Sequence, residues 1–300
     1  MKILFTFPGQ GGQRPGMLSA LPDREAILTQ ARAVLGDEVD TLDSADALQH
    51  TRAVQLCLLI AGVAWARELQ RQGVDPQMVS GLSIGAFPAA VIAGALDFAS
   101  ALRLVALRGD LMEQAYPEGY GLTAIMGLTR PRVETLMQGH EVYLANLNAE
   151  TQFVIAGRDE AMAEVAQLAL RAGASKAQRL AVSVPSHCAL LDKPAAELAK
   201  AFAGASLRRP WCAYLSGSTA RVLWDPQRIA DDLAMNMARP VHWQEAMVAA
   251  DERDARLAIE MPPGGVLTCL TRQAGWRGET IALERSGLDV ARHLAQRLSD

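Results

Sequence analysis

The chain has 300 residues, half of them hydrophobic and about a fifth charged, with a net charge of −4. That length can bury a sizeable core, as one large domain or a domain carrying a smaller insertion, and the composition excludes a disordered chain. Acids and bases are spread along the sequence, so there is no basic footprint for nucleic acid, and any anionic ligand must be held by local basic residues.

Residues 2–7 (Lys-Ile-Leu-Phe-Thr-Phe) read as a buried first strand, cut off by Pro8 and too short for a signal-peptide core. Pro8-Gly9-Gln10-Gly11-Gly12-Gln13 follows, either a plain strand-ending turn or a loop whose glycines let the backbone approach a ligand. Residues 21–35 are helical. Thr51 is expected to cap a long helix over 52–72, with Val54, Leu58, Ala61 and Trp65 on one apolar face and Gly73 closing it. The longest uncharged apolar run, residues 56–66, falls well short of a membrane span.

Met78-Val79-Ser80-Gly81-Leu82-Ser83-Ile84-Gly85-Ala86-Phe87 carries the most specific pattern: a short apolar run, Gly-x-Ser-x-Gly, then a helical stretch over 89–96. This is the layout of a nucleophile elbow. A serine on a tight strand-to-helix turn projects beyond the sheet, and the helix start offers N–H groups to an oxyanion. Pro88 falls about five residues into that helix, where it is expected to remove one backbone hydrogen bond and bend the axis. Residues 97–115 form another helix. Its Arg108 has Leu104, Val105, Leu111 and Met112 three and four residues away, an apolar face on which a charge needs a partner. The partner is either a ligand or a structural acid such as Asp110 or Glu113, unless the side chain snorkels to the surface.

From Gly121 the pattern becomes strand 122–127, helix 131–139, strand 142–146, strand 153–156, helix 159–172 and strand 178–182, the β-α-β-β-α-β order of a ferredoxin-like unit. Val184-Pro185-Ser186-His187-Cys188-Ala189 then re-enters the main domain, with His187 in a loop. The other histidines (His50, His140, His242, His293) lie in polar or helical contexts. A strand at 211–215, helices at 226–237 and 241–250, a strand at 256–261 and a helix from Val266 complete the pattern. Cys57, Cys188, Cys212 and Cys269 are far apart and make no metal or redox pair, which suits reduced thiols in a cytoplasmic protein. No tightly bound cofactor and no metal is expected.

Strands alternate with helices, so the expected fold class is α/β: a hydrolase-like core with a mostly parallel sheet (1–120 and 188–300) and an inserted ferredoxin-like subdomain (121–187). A nucleophile elbow with a downstream loop histidine suggests acyl transfer through a seryl ester. Whether water or a second thiol receives the acyl group is left open.

Phe7 to Gln13, Gly81-Leu82-Ser83-Ile84-Gly85, Leu107-Arg108-Gly109 and Val182 to Cys188 occur in the order and approximate spacing of malonyl-CoA:acyl-carrier-protein transacylases, which the chain resembles over nearly its whole length. Arg239-Pro240-Val241 and Glu260-Met261-Pro262-Pro263-Gly264 are similar to that family too. The resemblance implies Ser83 as nucleophile, His187 as general base, the backbone N–H groups of Gln10 and Ile84 as oxyanion hole, and Arg108 as the grip on the malonyl carboxylate. It also implies that a backbone carbonyl orients the histidine. Asn236 falls at that position, and only its main chain is expected to matter. The implied partners are malonyl-CoA and a carrier protein bearing a phosphopantetheine-type group.

The family's usual histidine before the nucleophile and its usual glutamate three residues after it are Leu82 and Ala86 here. In that respect the stretch looks more like the malonyl transferase (epsilon) subunit of malonate decarboxylase, whose acceptor is a CoA-like group on a small acyl-carrier subunit. The alternatives are a fatty-acid-synthesis transacylase, a serine thioesterase or esterase using Asp97, Asp110 or Asp159, and a non-catalytic docking subunit with a vestigial elbow.

Overall fold

The computed structural model describes residues 1–116 and 118–299. In chain order the strands are β1 (Lys2–Phe7), β2 (Met78–Gly81), β3 (Tyr120–Met126), β4 (Val142–Ala149), β5 (Gln152–Arg158), β6 (Lys176–Arg179), β7 (Ala213–Leu215), β8 (Val222–Leu223), β9 (Ala255–Glu260) and β10 (Glu279–Ala282). The α-helices are α1 (Arg24–Leu35), α2 (Thr51–Arg71), α3 (Ala86–Ile92), α4 (Phe98–Ala115), α5 (Arg130–Met137), α6 (Asp159–Arg171), α7 (Asp192–Ala201), α8 (Pro226–Met235), α9 (Trp243–Glu252), α10 (Val266–Gln273) and α11 (Leu283–Ser299).

The larger sheet runs β10-β9-β1-β2-β7-β8, parallel except for the β7–β8 pair at one edge. Its central strands are apolar on both faces because helices cover both: Leu4, Phe5 and Phe7 of β1 are fully buried, as is Val79 of β2. The smaller sheet, β4-β5-β3-β6, is antiparallel and has its own core, built on Ile125, Val133, Phe153, Met162 and Val165. The fold is α/β with a mostly parallel main sheet. Residues 117 and 300, within the segments 1–120 and 188–300 expected for the core, lie outside the described residues. β4 of the smaller sheet is joined to the segment before α9 by backbone bonds: Val241 N–H donates to Ala145 O at 2.8 Å, and Leu147 N–H donates to Val241 O at 2.8 Å. Among the described residues, no helix is long and apolar enough to cross a membrane.

Several local expectations change. α2 is buried nearly all round, because α4 and α3 pack against it and Gly62 meets Phe7 of β1, and it is not amphipathic with a single apolar face. Thr51 is the first residue of α2 and not its cap; the Glu113 carboxylate accepts the Thr51 N–H at 2.9 Å from outside the helix. Pro88 lies in the first turn of α3, because a 3-10 turn over Ser83–Gly85 delays the helix to Ala86. The helix expected over 226–237 ends at Met235, and a separate 3-10 turn holds Asn236–Ala238. The sequence reading passed over α7, β8, β10 and α11.

Candidate active site

The elbow is shaped by two glycines. A Cβ on Gly81 would lie 2.0 Å from the Gly85 carbonyl carbon, and one on Gly85 would lie 2.1 Å from Phe7 O. No other residue fits where the strand turns back over its helix. Ser83 is held at φ 57°, a left-handed conformation unusual for a non-glycine residue and common at strained functional turns. The loop bearing Gln10 packs directly on the elbow: a Cβ on Gly9 would meet Leu82 Cδ2 at 2.8 Å and Leu82 O at 3.1 Å. The chain thus brings the loop bearing Gln10 against the turn bearing Ile84, 74 positions apart in sequence.

Arg108 reaches the elbow from α4. Its Nη2 donates to Ser83 Oγ at 3.2 Å and to Asn236 Oδ1 at 3.0 Å, and the guanidinium lies 5.9 Å from the centre of the Phe87 ring. The side chain is 0 % exposed, and its Nε and Nη1 have no hydrogen-bond partner among the described residues. Burial lowers the pKa of the group to about 9, which leaves it cationic at neutral pH. The structural partners considered from sequence are engaged elsewhere: Asp110 accepts from Arg52, and Glu113 accepts from Thr51 and pairs with His50. A buried cation without a carboxylate is costly, and its two unsatisfied donors make this the place to receive an anion.

His187 follows β6 in a loop and is also left-handed, at φ 66°. Its backbone N–H donates to Met237 O, and its Nδ1 lies 2.8 Å from Asn236 O and 3.2 Å from Arg239 O. A ring nitrogen facing two carbonyl oxygens must carry the proton, so Nε2 is the lone-pair nitrogen. Burial lowers the imidazole pKa to about 4, with further lowering by the Arg108 charge and partial opposition from the two carbonyls. The imidazole is therefore neutral at pH 7 and able to accept a proton.

Asn236 does more than the sequence reading expected. Besides its carbonyl, its side chain takes part: Oδ1 accepts from Arg108, and Nδ2 donates to Ser83 O at 3.3 Å. The sequence pointed only to its main chain; the side chain is hydrogen-bonded within the site as well. Phe87 beneath Arg108 was also missed, although its place four residues after Ser83 on the nucleophile helix could have signalled it. Cys188, beside His187, is buried and donates its thiol to Pro185 O at 3.3 Å; burial raises its pKa to about 11. Leu82 is half-buried against Gly9, and Ala86 is buried.

None of the three candidate triad acids is hydrogen-bonded to His187. Asp97 caps α4 through Ser100 N–H, Asp110 pairs with Arg52, and Asp159 pairs with Arg179. The Nδ1 face of the imidazole is already occupied by main-chain oxygens.

The family profile described as "Acyl transferase domain" matches residues 4–286. The malonyl CoA-acyl carrier protein transacylase of Escherichia coli is 36% identical over 285 residues, covering 91% of this chain and 92% of that protein. The structure of the malonyl CoA-acyl carrier protein transacylase from Coxiella burnetii superposes with a TM-score of 0.91 at 32% identity, covering 100% of this chain and 98% of that one. A malonyl-transacylase solved in complex with a type II PKS acyl-carrier protein superposes with a TM-score of 0.91 at 34% identity, covering 98% of this chain and 99% of that one.

Proposed function

The chain belongs to the acyl transferase domain family, and from that premise we propose that it moves malonyl groups from malonyl-CoA to a carrier-protein thiol through a seryl ester on Ser83. It is an enzyme of the acyltransferase class. The observation that carries the malonyl reading is Arg108: a fully buried guanidinium with two unpartnered nitrogens, 3.2 Å from the Ser83 hydroxyl. Malonyl-CoA offers a carboxylate about one acyl length from its reactive carbonyl, and a guanidinium fork matches a carboxylate in two parallel bonds.

In this mechanism His187 Nε2 takes the Ser83 proton as Oγ attacks the thioester carbonyl. The N–H groups of Gln10 and Ile84 hold the oxyanion. The tetrahedral adduct collapses, the C–S bond breaks, and His187 returns the proton to the departing CoA thiol. The carrier thiol then gives its proton to His187 and attacks the seryl ester; the C–O bond to Ser83 breaks, and His187 returns the proton to Oγ. The Asn236 and Arg239 carbonyls hold the imidazole in the tautomer this needs, in the place an acid takes in a triad. The portion 1–120 with 188–300 supplies these groups except His187, which is the last residue of the inserted unit 121–187.

For the acceptor we infer the acyl-carrier subunit of malonate decarboxylase, on the strength of Leu82 and Ala86 beside the nucleophile. The names of the relatives, which print an acyl carrier protein, support the second reading, a carrier of the fatty-acid-synthesis kind. The test is to give the protein malonyl-CoA with each carrier in turn and follow carrier mass. The expected result is a malonyl gain on the carrier and one malonyl adduct on Ser83 when no carrier is present. Free malonate as the main product with a carrier thiol available would make it a hydrolase, and an adduct on Cys188 would overturn the seryl mechanism.

A further inference from the structure

Behind the site lies a buried acid that the mechanism does not use. Asp232 on α8 is 4 % exposed, and its carboxylate accepts Tyr214 Oη at 2.8 Å and Ser216 Oγ at 2.6 Å. Both partners come from β7 and the turn after it, and both are fully buried. This is not a surface cluster: burial raises the pKa of the acid, and the Arg239 charge works against that rise. A carboxylate held inside the protein by two hydroxyls is expensive to bury and fixes geometry well when satisfied.

Two arms leave Asp232, one from its carboxylate and one from its main chain, and both end at the active site. Along the first, Ser216 Oγ also accepts the N–H groups of Ser218 and Thr219 at 3.2 and 3.1 Å, which folds residues 216–219 into a tight turn. That turn rests on the elbow strand: a Cβ on Gly217 would lie 3.1 Å from Gly81 O, and Ser80 Oγ donates to Leu215 O at 2.9 Å. Gly81 and Ser80 are two and three residues before Ser83. Along the second arm, the Asp232 main-chain carbonyl accepts the Asn236 N–H and ends α8 there. Asn236 supplies the carbonyl that faces His187 Nδ1, the amide oxygen on Arg108 and the amide nitrogen on Ser83 O.

We propose that Asp232 is a positioning residue that sets the spacing of Ser83 and His187, by tying the turn that supports the elbow to the helix end that orients the base. This rests on the roles given above to Ser83 and His187. It touches no substrate. Without the carboxylate, α8 loses the two hydroxyl bonds that hold it to β7 and its turn, so the helix end that carries Asn236 is free to shift, and a misplacement of under an ångström at such a pair is felt in the rate.

The test compares Asp232→Asn, Tyr214→Phe and Ser216→Ala with the unaltered protein in two assays. One is malonyl transfer. The other is labelling of Ser83 by a fluorophosphonate, which needs only an activated serine and so reads the brace whatever the natural acyl donor is. Asp232→Asn is expected to lower kcat and the labelling rate roughly tenfold to a hundredfold, with KM for malonyl-CoA nearly unchanged. The acid limb of the rate should also move to lower pH, because the Asn236 carbonyl that raises the His187 pKa is no longer held against it. A merely structural acid would change thermal stability and leave kcat per folded molecule and the acid limb alone. If Asp232→Asn does not fold, the single-hydroxyl variants decide: each should show the same effects in smaller measure. Wild-type labelling rates and acid limbs in the folded variants would overturn the proposal. Loss of malonyl transfer alone in the unaltered protein, with labelling intact, would overturn the substrate assignment and leave the brace standing.

Discussion

Arg108 Nη2 and Ser83 Oγ are 3.2 Å apart, so the site's buried cation touches the hydroxyl proposed to attack. The same guanidinium lowers the pKa of the imidazole proposed to take that hydroxyl's proton. Specificity and reactivity are therefore coupled through one side chain, and the predictions below separate them.

Arg108→Ala should shift selectivity from malonyl-CoA toward acetyl-CoA. A hydrogen bond to a charged group contributes about 1.5–3 kcal/mol, or roughly tenfold to a hundredfold in kcat/KM for malonyl. Acetyl-CoA has no carboxylate to lose and should be little affected. Arg108→Lys should recover only part of the malonyl rate, since an ammonium keeps the charge but not the fork. Competition between the two donors, read as acyl mass on Ser83, checks this; equal losses for both donors in a folded variant would make Arg108 structural.

The two pH profiles should not coincide. His187 must be neutral to act as base, so kcat/KM should rise through a pKa of about 4, set by burial and by Arg108. A malonyl carboxylate on Arg108 cancels part of that repulsion, which raises the His187 pKa in the complex. The acid limb of kcat should therefore lie at higher pH than that of kcat/KM, and rate profiles across the acid range will show it. The same shift bears on stability. The unfolded chain binds this proton below about pH 6.5 while the folded one resists it to about 4, so His187's contribution is complete above 6.5 and is lost as pH falls through that window.

Asn236→Ala keeps the carbonyl on His187 but removes the amide from Arg108 and from Ser83 O. The expected result is a tenfold to hundredfold loss in malonyl kcat/KM, on the scale of about 1.5–3 kcal/mol for a bond to a charge, with the acid limb of the rate in place. Movement of the acid limb would mean that the side chain, too, governs the base.

Gly81→Ala should not yield a stable native protein, because its Cβ would fall 2.0 Å from the backbone of Gly85. A clash with the Gly85–Ala86 main chain cannot be relieved by a rotamer change, and the loss should be about 3 kcal/mol or more in chemical denaturation, the upper end for overpacking. Near-native stability would show that the elbow can open.

Much of this site was legible because its signals are local. Gly81, Ser83 and Gly85 fall within five residues, and the apolar neighbours of Arg108 are all within one helical turn. The chain order of β and α segments gave the layered fold for the same reason. What the sequence hid depends on long-range pairing. The Asn236 side chain has meaning only against Arg108 and Ser83, 128 and 153 positions away, and Asp232 only against Tyr214 and Ser216. Capping failed likewise at Thr51, whose N–H is taken by Glu113 from another helix, which no reading of neighbours would supply. The helix drawn through Asn236 hid the turn that aims its carbonyl, since residues 226–238 carry no glycine or internal proline to mark the break.

Cys188 stands next to the proposed base, yet it is 4 % exposed, and its thiol pKa is raised to about 11. At neutral pH only on the order of one in ten thousand such groups is a thiolate, the form that attacks disulfides and oxidants. A protein that exchanges acyl groups between thiols meets CoA and carrier sulfur at high local concentration, together with their oxidised forms. A reactive sulfur at that mouth would become trapped in a mixed disulfide and block the next turnover. With Cys188 sealed and protonated, the site as proposed keeps no reactive sulfur of its own beside the base.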